Sequence, residues 1–189
     1  MMLSSGLLYG ERTTPAVDED PGMRPAAVSA AAGAAEAALA GRDLRVVRVP
    51  WVVGPGGLAR DLIVGLRIGK YRIVGTGENR WSLLCAEDAA DALLAALTAP
   101  PGLYSAAEAD VTTQEEVVNL VCTVPGHRRP DRVPPRFAAL SMGAAVSEAL
   151  GASVWVATGR LAEHGWSPRR RWREAIVSLA EGPLPLPPR

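Results

Sequence analysis

Strand-like and helix-like segments alternate through the first half of this 189-residue chain. The clearest strand covers residues 44–49, which are rich in β-branched side chains, and it runs into a turn of glycine and proline. A helix is predicted directly afterwards, over residues 58–68, because its leucine and isoleucine residues recur at helical spacing. Alternation of this kind is typical of parallel sheets covered by helices, so the sequence predicts an α/β fold.

Further elements extend this pattern toward both ends of the chain. Residues 3–10 are predicted as a strand that runs into a loop, and the alanine-rich residues 26–40 as a helix. Short strands are predicted at 71–74 and 103–105, a short apolar run lies at 81–85, and helices are predicted at 87–97, 137–150 and 172–179. Thr113 and Glu116 have the spacing of a capping box, which predicts the start of another helix. Helices dominate the second half, which indicates a mixed α+β end.

Charge and cysteine content argue against several classes of protein. The 20 basic and 20 acidic residues give a formal net charge of zero, so no global attraction to nucleic acid or to an anionic membrane is expected. No apolar run reaches the roughly 18 residues of a membrane span, and the N-terminus lacks the features of a signal peptide. Cys85 and Cys122 are too few for a disulfide framework or a cysteine-based zinc cluster, so we expect a cytoplasmic protein without a metal site.

The basic residues are almost all arginine, and Lys70 is the single lysine. We interpret this bias, together with the abundant alanine, as codon usage in a GC-rich genome rather than as arginine chemistry. The arginine runs at 128–129 and 169–171 are therefore predicted to be solvated surface. The alternative is that they contact a phosphorylated or nucleotide ligand.

Five short segments carry a resemblance to a known family. They are the serine-rich residues 4–10, the acidic loop of Val17, Asp18, Glu19 and Pro21, the strand and loop at 44–56, the glycine-led residues 75–90 and the Gly-Trp-Ser-Pro turn at 165–168. In their order and spacing they resemble extended and atypical short-chain dehydrogenases/reductases, the NAD-dependent epimerase/dehydratase family. The resemblance covers nearly the whole chain.

This resemblance implies a partial Rossmann-like parallel sheet with a C-terminal helical substrate-binding subdomain. Residues 1–100 are then the remnant of the Rossmann-like core, residues 101–182 the substrate-binding-type subdomain, and residues 183–189 a tail. In the family a glycine-rich cofactor loop precedes the Ser-Ser pair, whereas only three residues precede it here. We therefore expect a truncated chain that corresponds to the C-terminal part of a family member, with the N-terminal half missing.

The catalytic residues of the family are matched only in part. A serine or threonine binds the substrate, and a tyrosine transfers the proton with the help of a lysine one helical turn later. Ser5 lies at the serine position; counted from Glu36, which resembles a family acidic residue, the tyrosine position falls on Val28 and the lysine position on Ala32. No Tyr-x-x-x-Lys occurs in the sequence. Hydride transfer is therefore not supported, and no cofactor is expected for the lone chain; NAD(P) is implied by resemblance only.

Other candidates come from positions near the matched segments. The substrate-binding candidates are aromatic and basic side chains, with packing as the alternative role: Tyr9, Trp51, Arg80 and Trp81. His127 and His164 are the two histidines of the chain and are expected to be solvated loop residues. Cys85 is expected to fill a buried strand position.

Three functions are consistent with these residues. The first is a degenerate family member, a pseudoenzyme that acts as a small-molecule-binding or accessory protein. The second is an active sugar-nucleotide epimerase, dehydratase or carbonyl reductase completed by the missing half, and the third is a repurposed non-redox isomerase or cyclase. A sheet without its N-terminal neighbours has an open edge, expected at residues 44–49, so we expect a rearranged compact fold, a homodimer that pairs these edges, or a partner chain that covers them.

Overall fold

The computed structural model describes residues 1–18 and 27–183. Its strands are β1 (Met2–Ser5), β2 (Arg45–Val49), β3 (Trp51–Val53), β4 (Ile73–Val74), β5 (Arg80–Trp81), β6 (Leu83–Cys85), β7 (Gly102–Ser105), β8 (Thr112–Thr113) and β9 (Arg132–Val133). Its α-helices are α1 (Ala30–Ala38), α2 (Gly57–Arg67), α3 (Ala86–Ala96), α4 (Gln114–Val121), α5 (Pro135–Met142), α6 (Ala144–Gly151) and α7 (Trp172–Glu181). Short 3-10 helices lie at Gly6–Tyr9, Ala27–Ser29 and Arg160–His164. Glu19 and Pro21 of the predicted acidic loop, and residues 184–189 of the predicted tail, lie outside the described residues.

A parallel three-stranded sheet has the order β1-β2-β7. Val47 lies opposite Leu3 on one side and opposite Tyr104 on the other. Parallel strands joined by helical connections confirm the predicted α/β class. Pairs of short strands continue the fold, with β3 and β6 parallel, β4 and β9 parallel, and β5 and β8 antiparallel.

The prediction that residues 44–49 form the open edge of the sheet is wrong. β2 is hydrogen-bonded on both sides, which fits the burial of its valines. Among the described residues β1 pairs only with β2, and its Leu3 is 51% exposed, so β1 is the open edge. The other outer strand, β7, also has one strand neighbour, but part of its edge is bonded: the Leu103 carbonyl accepts from the Arg160 guanidinium and the Ser105 amide donates to Asp18 Oδ1, both at 2.8 Å. The sequence could not reveal that β7 supplies the second neighbour of β2.

Helices α2, α4 and α7 contribute to one apolar core. Leu62, Ile63 and Leu66 of α2 face it at the helical spacing that predicted this helix. The predicted capping box at the start of α4 is confirmed. Thr113 Oγ1 accepts a hydrogen bond from the Glu116 amide at 3.1 Å, and the Glu116 carboxylate accepts one from the Thr113 amide at 3.1 Å.

The single helix predicted over residues 137–150 is in fact two helices. α5 ends and α6 begins at Gly143, whose φ of 87° lies in the left-handed region that favours glycine. α5 also starts earlier than predicted, with Pro135 in its first turn, where a missing amide donor is harmless. The break at Gly143 lets the two short helices pack against each other.

No α-helix in residues 1–18 and 27–183 is long and apolar enough to cross a membrane. Over the same residues, no three His, Cys, Asp or Glu side chains lie close enough together to hold a metal ion. The division into residues 1–100 and 101–182 stays a prediction. Strand β7, from the second stretch, lies in the same sheet as β1 and β2 from the first.

Candidate functional site

The chain leaves β1 at Ser5 and turns tightly into a 3-10 helix. The Ser5 hydroxyl oxygen accepts a hydrogen bond from the Leu7 amide at 3.2 Å. The turn needs Gly6, because a Cβ there would lie 2.9 Å from Val156 Cγ2 and 3.1 Å from the Val49 carbonyl oxygen. The serine matched to the family's catalytic position therefore lies at the carboxyl end of a parallel strand, where α/β proteins commonly bind ligands.

A cavity of about 310 Å³ lies beside this turn. It is lined by the segment after β1 and by the α5–α6 pair with the chain that follows it: Leu7, Gly10, Glu11, Pro135, Ser147, Glu148, Gly151, Ala152 and Val154. Its volume is at the lower end of the roughly 300–1,000 Å³ typical of small-molecule sites. The buried Ser147 donates to the Pro135 carbonyl at 3.0 Å, whereas Glu11 and Glu148 are exposed. Only Leu7 and Gly10 of this lining belong to a motif recognised in the sequence.

Tyr9 is fully buried at the end of the same turn. Its hydroxyl donates to the Asp18 carbonyl at 2.7 Å, and the Arg48 guanidinium lies 4.7 Å from the centre of its ring. Burial raises the pKa of Tyr9 to about 12. At neutral pH the phenol is therefore protonated and occupied by the backbone of residue 18.

Asp18 joins three segments that are distant in sequence. Its Oδ1 accepts hydrogen bonds from the Ser105 amide at 2.8 Å and from the Ser105 hydroxyl at 3.2 Å. Its Oδ2 accepts from the Arg160 amide at 2.7 Å, and the Arg160 Nε lies 3.6 Å away. The sequence placed Asp18 in an acidic loop by resemblance and gave no signal of these partners. The carboxylate fixes the loop after the serine segment to β7 and to the 3-10 helix at Arg160–His164.

Glu36 anchors α1 to the sheet through polar contacts. Its carboxylate accepts from the Arg48 guanidinium at 2.7 and 3.0 Å and from the Ser4 hydroxyl at 2.5 Å. Burial opposes ionisation of this carboxyl, but the hydrogen bonds from Arg48 and Ser4 overcome it and lower the pKa of Glu36. Because α1 itself has no buried residue, this bidentate ion pair is a principal attachment of the helix.

Val28 and Ala32 occupy the positions that the resemblance gives to the catalytic tyrosine and lysine. Val28 lies in the 3-10 helix before α1 and is 47% exposed. Ala32 lies one turn later in α1 and is half-buried. Neither side chain can exchange a proton or carry a charge.

The structure brings Trp51 and Trp81 together, with ring centroids 5.6 Å apart. Trp81 is fully buried, and within the described residues the indole N–H groups of both have no hydrogen-bond partner. Arg80 is exposed and its guanidinium lies 4.6 Å from the centre of the Trp155 ring. Arg80 adjoins the cavity wall, since its carbonyl accepts from the Val154 amide at 2.8 Å. The two tryptophans, by contrast, are not among the residues that line the cavity.

The remaining candidates lie away from this cavity. His127 accepts a hydrogen bond from Arg67 Nε at 3.1 Å on one ring nitrogen, and the ring of His164 meets Tyr104 edge-on at 6.0 Å. Cys85 is buried as predicted, and burial raises its thiol pKa to about 12. It is therefore a core residue and not a thiolate nucleophile.

The sequence predicted that the arginines at 169–171 are solvated surface. They are exposed, but two of them also bind buried carboxylates. Arg170 Nη1 donates to Asp88 Oδ1 at 2.6 Å, and Arg171 Nη1 donates to Glu108 Oε1 at 3.2 Å. Both carboxylates are almost completely buried. These contacts fix the start of α7 on the body of the fold, so the run has a structural role that the arginine-rich composition concealed.

Solved structures of NAD-dependent epimerases share this fold. The human epimerase family protein SDR39U1, solved with NADPH, superposes with a TM-score of 0.77 at 21% identity, over 95% of this chain and 64% of that chain. The UDP-glucose 4-epimerase of Thermus thermophilus, in complex with NAD, gives a TM-score of 0.71 at 21% identity, over 95% and 62%. The enzyme of that name from Thermotoga maritima, solved with UDP-glucose, gives 0.69 at 19% identity, over 95% and 62%. No family model and no curated protein sequence matches the chain.

The similarity confirms the predicted Rossmann-like fold, which this chain shares with these epimerases. The chain spans less than two thirds of the length of these solved structures. Two of them contain NADPH or NAD. Here Ala32 offers no ammonium group to a nicotinamide ribose, and Val28 offers no phenol. The two positions that the resemblance assigns to the catalytic tyrosine and lysine therefore lack the groups that would contact a nicotinamide cofactor.

Proposed function

We propose that the chain binds a polar small molecule in the cavity beside Ser5, which is lined by Leu7 and Gly10 of the following turn and not by Ser5 itself, and has no dehydrogenase activity of its own. The observation that carries this proposal is the chemistry around Ser5. Val28 and Ala32 stand where the resemblance puts the proton-transferring tyrosine and its lysine, and the buried Tyr9 hydroxyl is bound to Asp18. Hydride transfer needs a group that exchanges a proton near neutral pH, and none of these positions supplies one.

The cavity lining supports a ligand with both apolar and polar faces. Leu7, Ala152 and Val154 supply apolar walls, while Glu11 and Glu148 bring carboxylates to its lining. Arg80, whose backbone is bonded to Val154, adds a cation next to the wall. A few polar groups around an apolar cavity are the usual arrangement of a small-molecule site. A sugar-containing compound fits this chemistry, and UDP-glucose is bound by one of the similar solved structures.

Ligand-observed NMR with UDP-glucose, UDP and glucose tests the proposed site. We expect saturable binding of at least one of them to the full chain. Ala152→Trp, which puts an indole into the cavity, should abolish that binding. Ala144→Trp, on the exposed part of α6, is the matched control and should leave it unchanged. Binding of none of the three, or binding that survives Ala152→Trp, would contradict the proposal.

The proposed lack of dehydrogenase function has a separate test. NADH and NADPH are titrated against the purified chain while nicotinamide fluorescence is followed. We expect no saturable change in the micromolar range, because the aligned positions carry no ribose-binding group. Micromolar binding by the lone chain would overturn this part of the proposal without touching the ligand site.

A second candidate is an active epimerase or dehydratase in which another polypeptide segment completes the sheet. The free edge of β1 favours it, because a parallel strand with one neighbour is normally covered. The solved structures are also longer than this chain. That segment would be a partner chain, a second copy, or sequence encoded upstream. Reading the DNA upstream of Met1 discriminates: an in-frame glycine-rich strand-turn-helix supports this candidate, and an immediate stop codon counts against it.

A further inference from the structure

A second cavity, of about 130 Å³, shares no lining residue with the cavity beside Ser5. Two separate segments form it, the turn that follows α2 and the loop that precedes β9. Its lining consists of Gly65, Leu66, Gly69, Tyr71, Arg72, Arg128, Arg129, Pro130 and Asp131. Three arginines therefore lie at one small concave surface, one from the first segment and two adjacent ones from the second.

The backbone around this cavity holds two of the arginines in place. Arg72 Nη1 donates to the carbonyl oxygens of Gly69 at 2.9 Å and Tyr71 at 2.6 Å, which fixes the plane of its guanidinium. The Arg128 amide donates to the Leu66 carbonyl at 3.1 Å, which joins the loop to the end of α2. Gly69 has a φ of +70°, and a Cβ there would lie 3.8 Å from Arg128 Cδ. Arg72 is thus held through its guanidinium, and Arg128 through its backbone amide.

The charges of these two arginines are not balanced. Across the described part of the chain, neither Arg72 nor Arg128 forms an ion pair, whereas Arg129 shares Glu115 with Arg132. Asp131 is the one carboxylate that lines the cavity. Most other ion-paired arginines of the protein face a carboxylate of their own, as Arg48 does with Glu36. The cavity therefore keeps an excess of positive charge, with Arg72 half-buried at its wall and Arg128 and Arg129 exposed at its opening.

We propose that this cavity binds a phosphate group. A guanidinium presents a planar fork of N–H donors that matches phosphate oxygens, and two such forks from different segments can enclose a tetrahedral anion. The volume suits a phosphate with its nearest waters and is too small for a whole nucleotide. The arginine run at 128–129 would then contribute to an anion site. Sequence analysis gave this role as the alternative to a solvated surface.

Isothermal titration calorimetry of the full chain with inorganic phosphate, at constant ionic strength, tests the proposal by measuring the heat of binding. We expect saturable binding at one site, with NMR shift changes at the Gly69 and Arg128 amides. Arg128→Gln should weaken the affinity for phosphate at least tenfold. Because the Arg128 side chain is exposed and makes no hydrogen bond within the described residues, this variant should keep the circular dichroism spectrum and the Tm of the parent. Arg42→Gln, an exposed arginine outside the cavity, is the matched control and should retain the parent's affinity.

Three results would overturn the proposal. They are non-saturable heats, an equal loss of affinity in the Arg128→Gln and Arg42→Gln variants, and shift changes confined to the cavity beside Ser5. Two further experiments identify which molecule carries the phosphate group. Tighter binding of a sugar phosphate than of inorganic phosphate points to a phosphorylated metabolite. Co-sedimentation with phosphatidylglycerol vesicles that Arg128→Gln abolishes points to a lipid headgroup.

Discussion

Asp18 and Gly159 are packed so closely that a Cβ at position 159 would lie 2.1 Å from Asp18 Oδ2. Gly159→Ala must therefore displace the Asp18 carboxylate from its donors, the Ser105 amide and the Arg160 amide. We expect the free energy of unfolding to fall by about 2–4 kcal/mol, because a buried carboxylate loses its hydrogen bonds. Urea denaturation measures the change. Gly182→Ala, where the nearest atom would be 3.5 Å away, is the control, and equal losses in both variants would refute the explanation.

The Glu36–Arg48 ion pair should make stability depend on pH. Because the pKa of Glu36 is lowered in the folded protein, its contribution is present above the unfolded value, about 4.3, and is lost as the pH falls through the folded pKa. Glu36→Gln should reduce the free energy of unfolding by about 1–3 kcal/mol at pH 7.

The difference between parent and Glu36→Gln should then shrink as the pH is lowered below about 4. Urea denaturation of both proteins between pH 7 and pH 3 follows it. Glu148→Gln, at an exposed position, should show little difference at any pH. A Glu36→Gln effect that stays constant across this range would argue against the ion pair as its cause.

The two cysteines should differ in reactivity. Cys85 is fully buried and burial raises its pKa to about 12, while Cys122 is half-buried with a pKa that burial also raises. At pH 8 the native protein should therefore react slowly with iodoacetamide at Cys122 and not at Cys85. Peptide mass mapping before and after denaturation measures this. Labelling of Cys85 in the native state at the rate of Cys122 would show that the strand β6 opens readily.

Leu3 on the open edge should govern self-association of the lone chain. Leu3→Lys puts a charge on β1 and should lower the mass measured by light scattering toward that of a monomer. Leu94→Lys, at a position 63% exposed on α3, is the control for a general gain in solubility. Equal masses for parent and Leu3→Lys, or an equal drop with Leu94→Lys, would remove the β1 edge as the contact surface.

Local elements could be predicted from the sequence because their causes are local. Thr113 and Glu116 lie three residues apart and exchange hydrogen bonds within one turn, so their spacing alone predicted the start of α4. The position of β2 in the sheet could not be predicted in this way. Its two neighbours, β1 and β7, are separated from it by long stretches of chain, and a run of valines looks the same at an edge as in the middle.

The same distinction between local and long-range causes applies to the candidate site. Ser5 could be proposed because its motif is continuous in the sequence, whereas the Asp18 partners lie 87 and 142 residues away from Asp18. Arg72 had no signal at all, and Arg128 was judged by composition. Only the fold places these two side chains at one cavity. The role of Ser5 thus stays a prediction from its motif, and sequence reasoning missed the contacts that build its surroundings.

The sheet order has a consequence for how the protein is made. β1 leaves the ribosome well before its partner, because β2 begins at Arg45 and the third strand of the sheet ends at Ser105. During synthesis the β1 segment is therefore without its partner until β2 emerges, and among the described residues of the folded protein it still pairs on one side only. Residues 2–5 are thus open to non-native strand pairing both in the nascent chain and after folding.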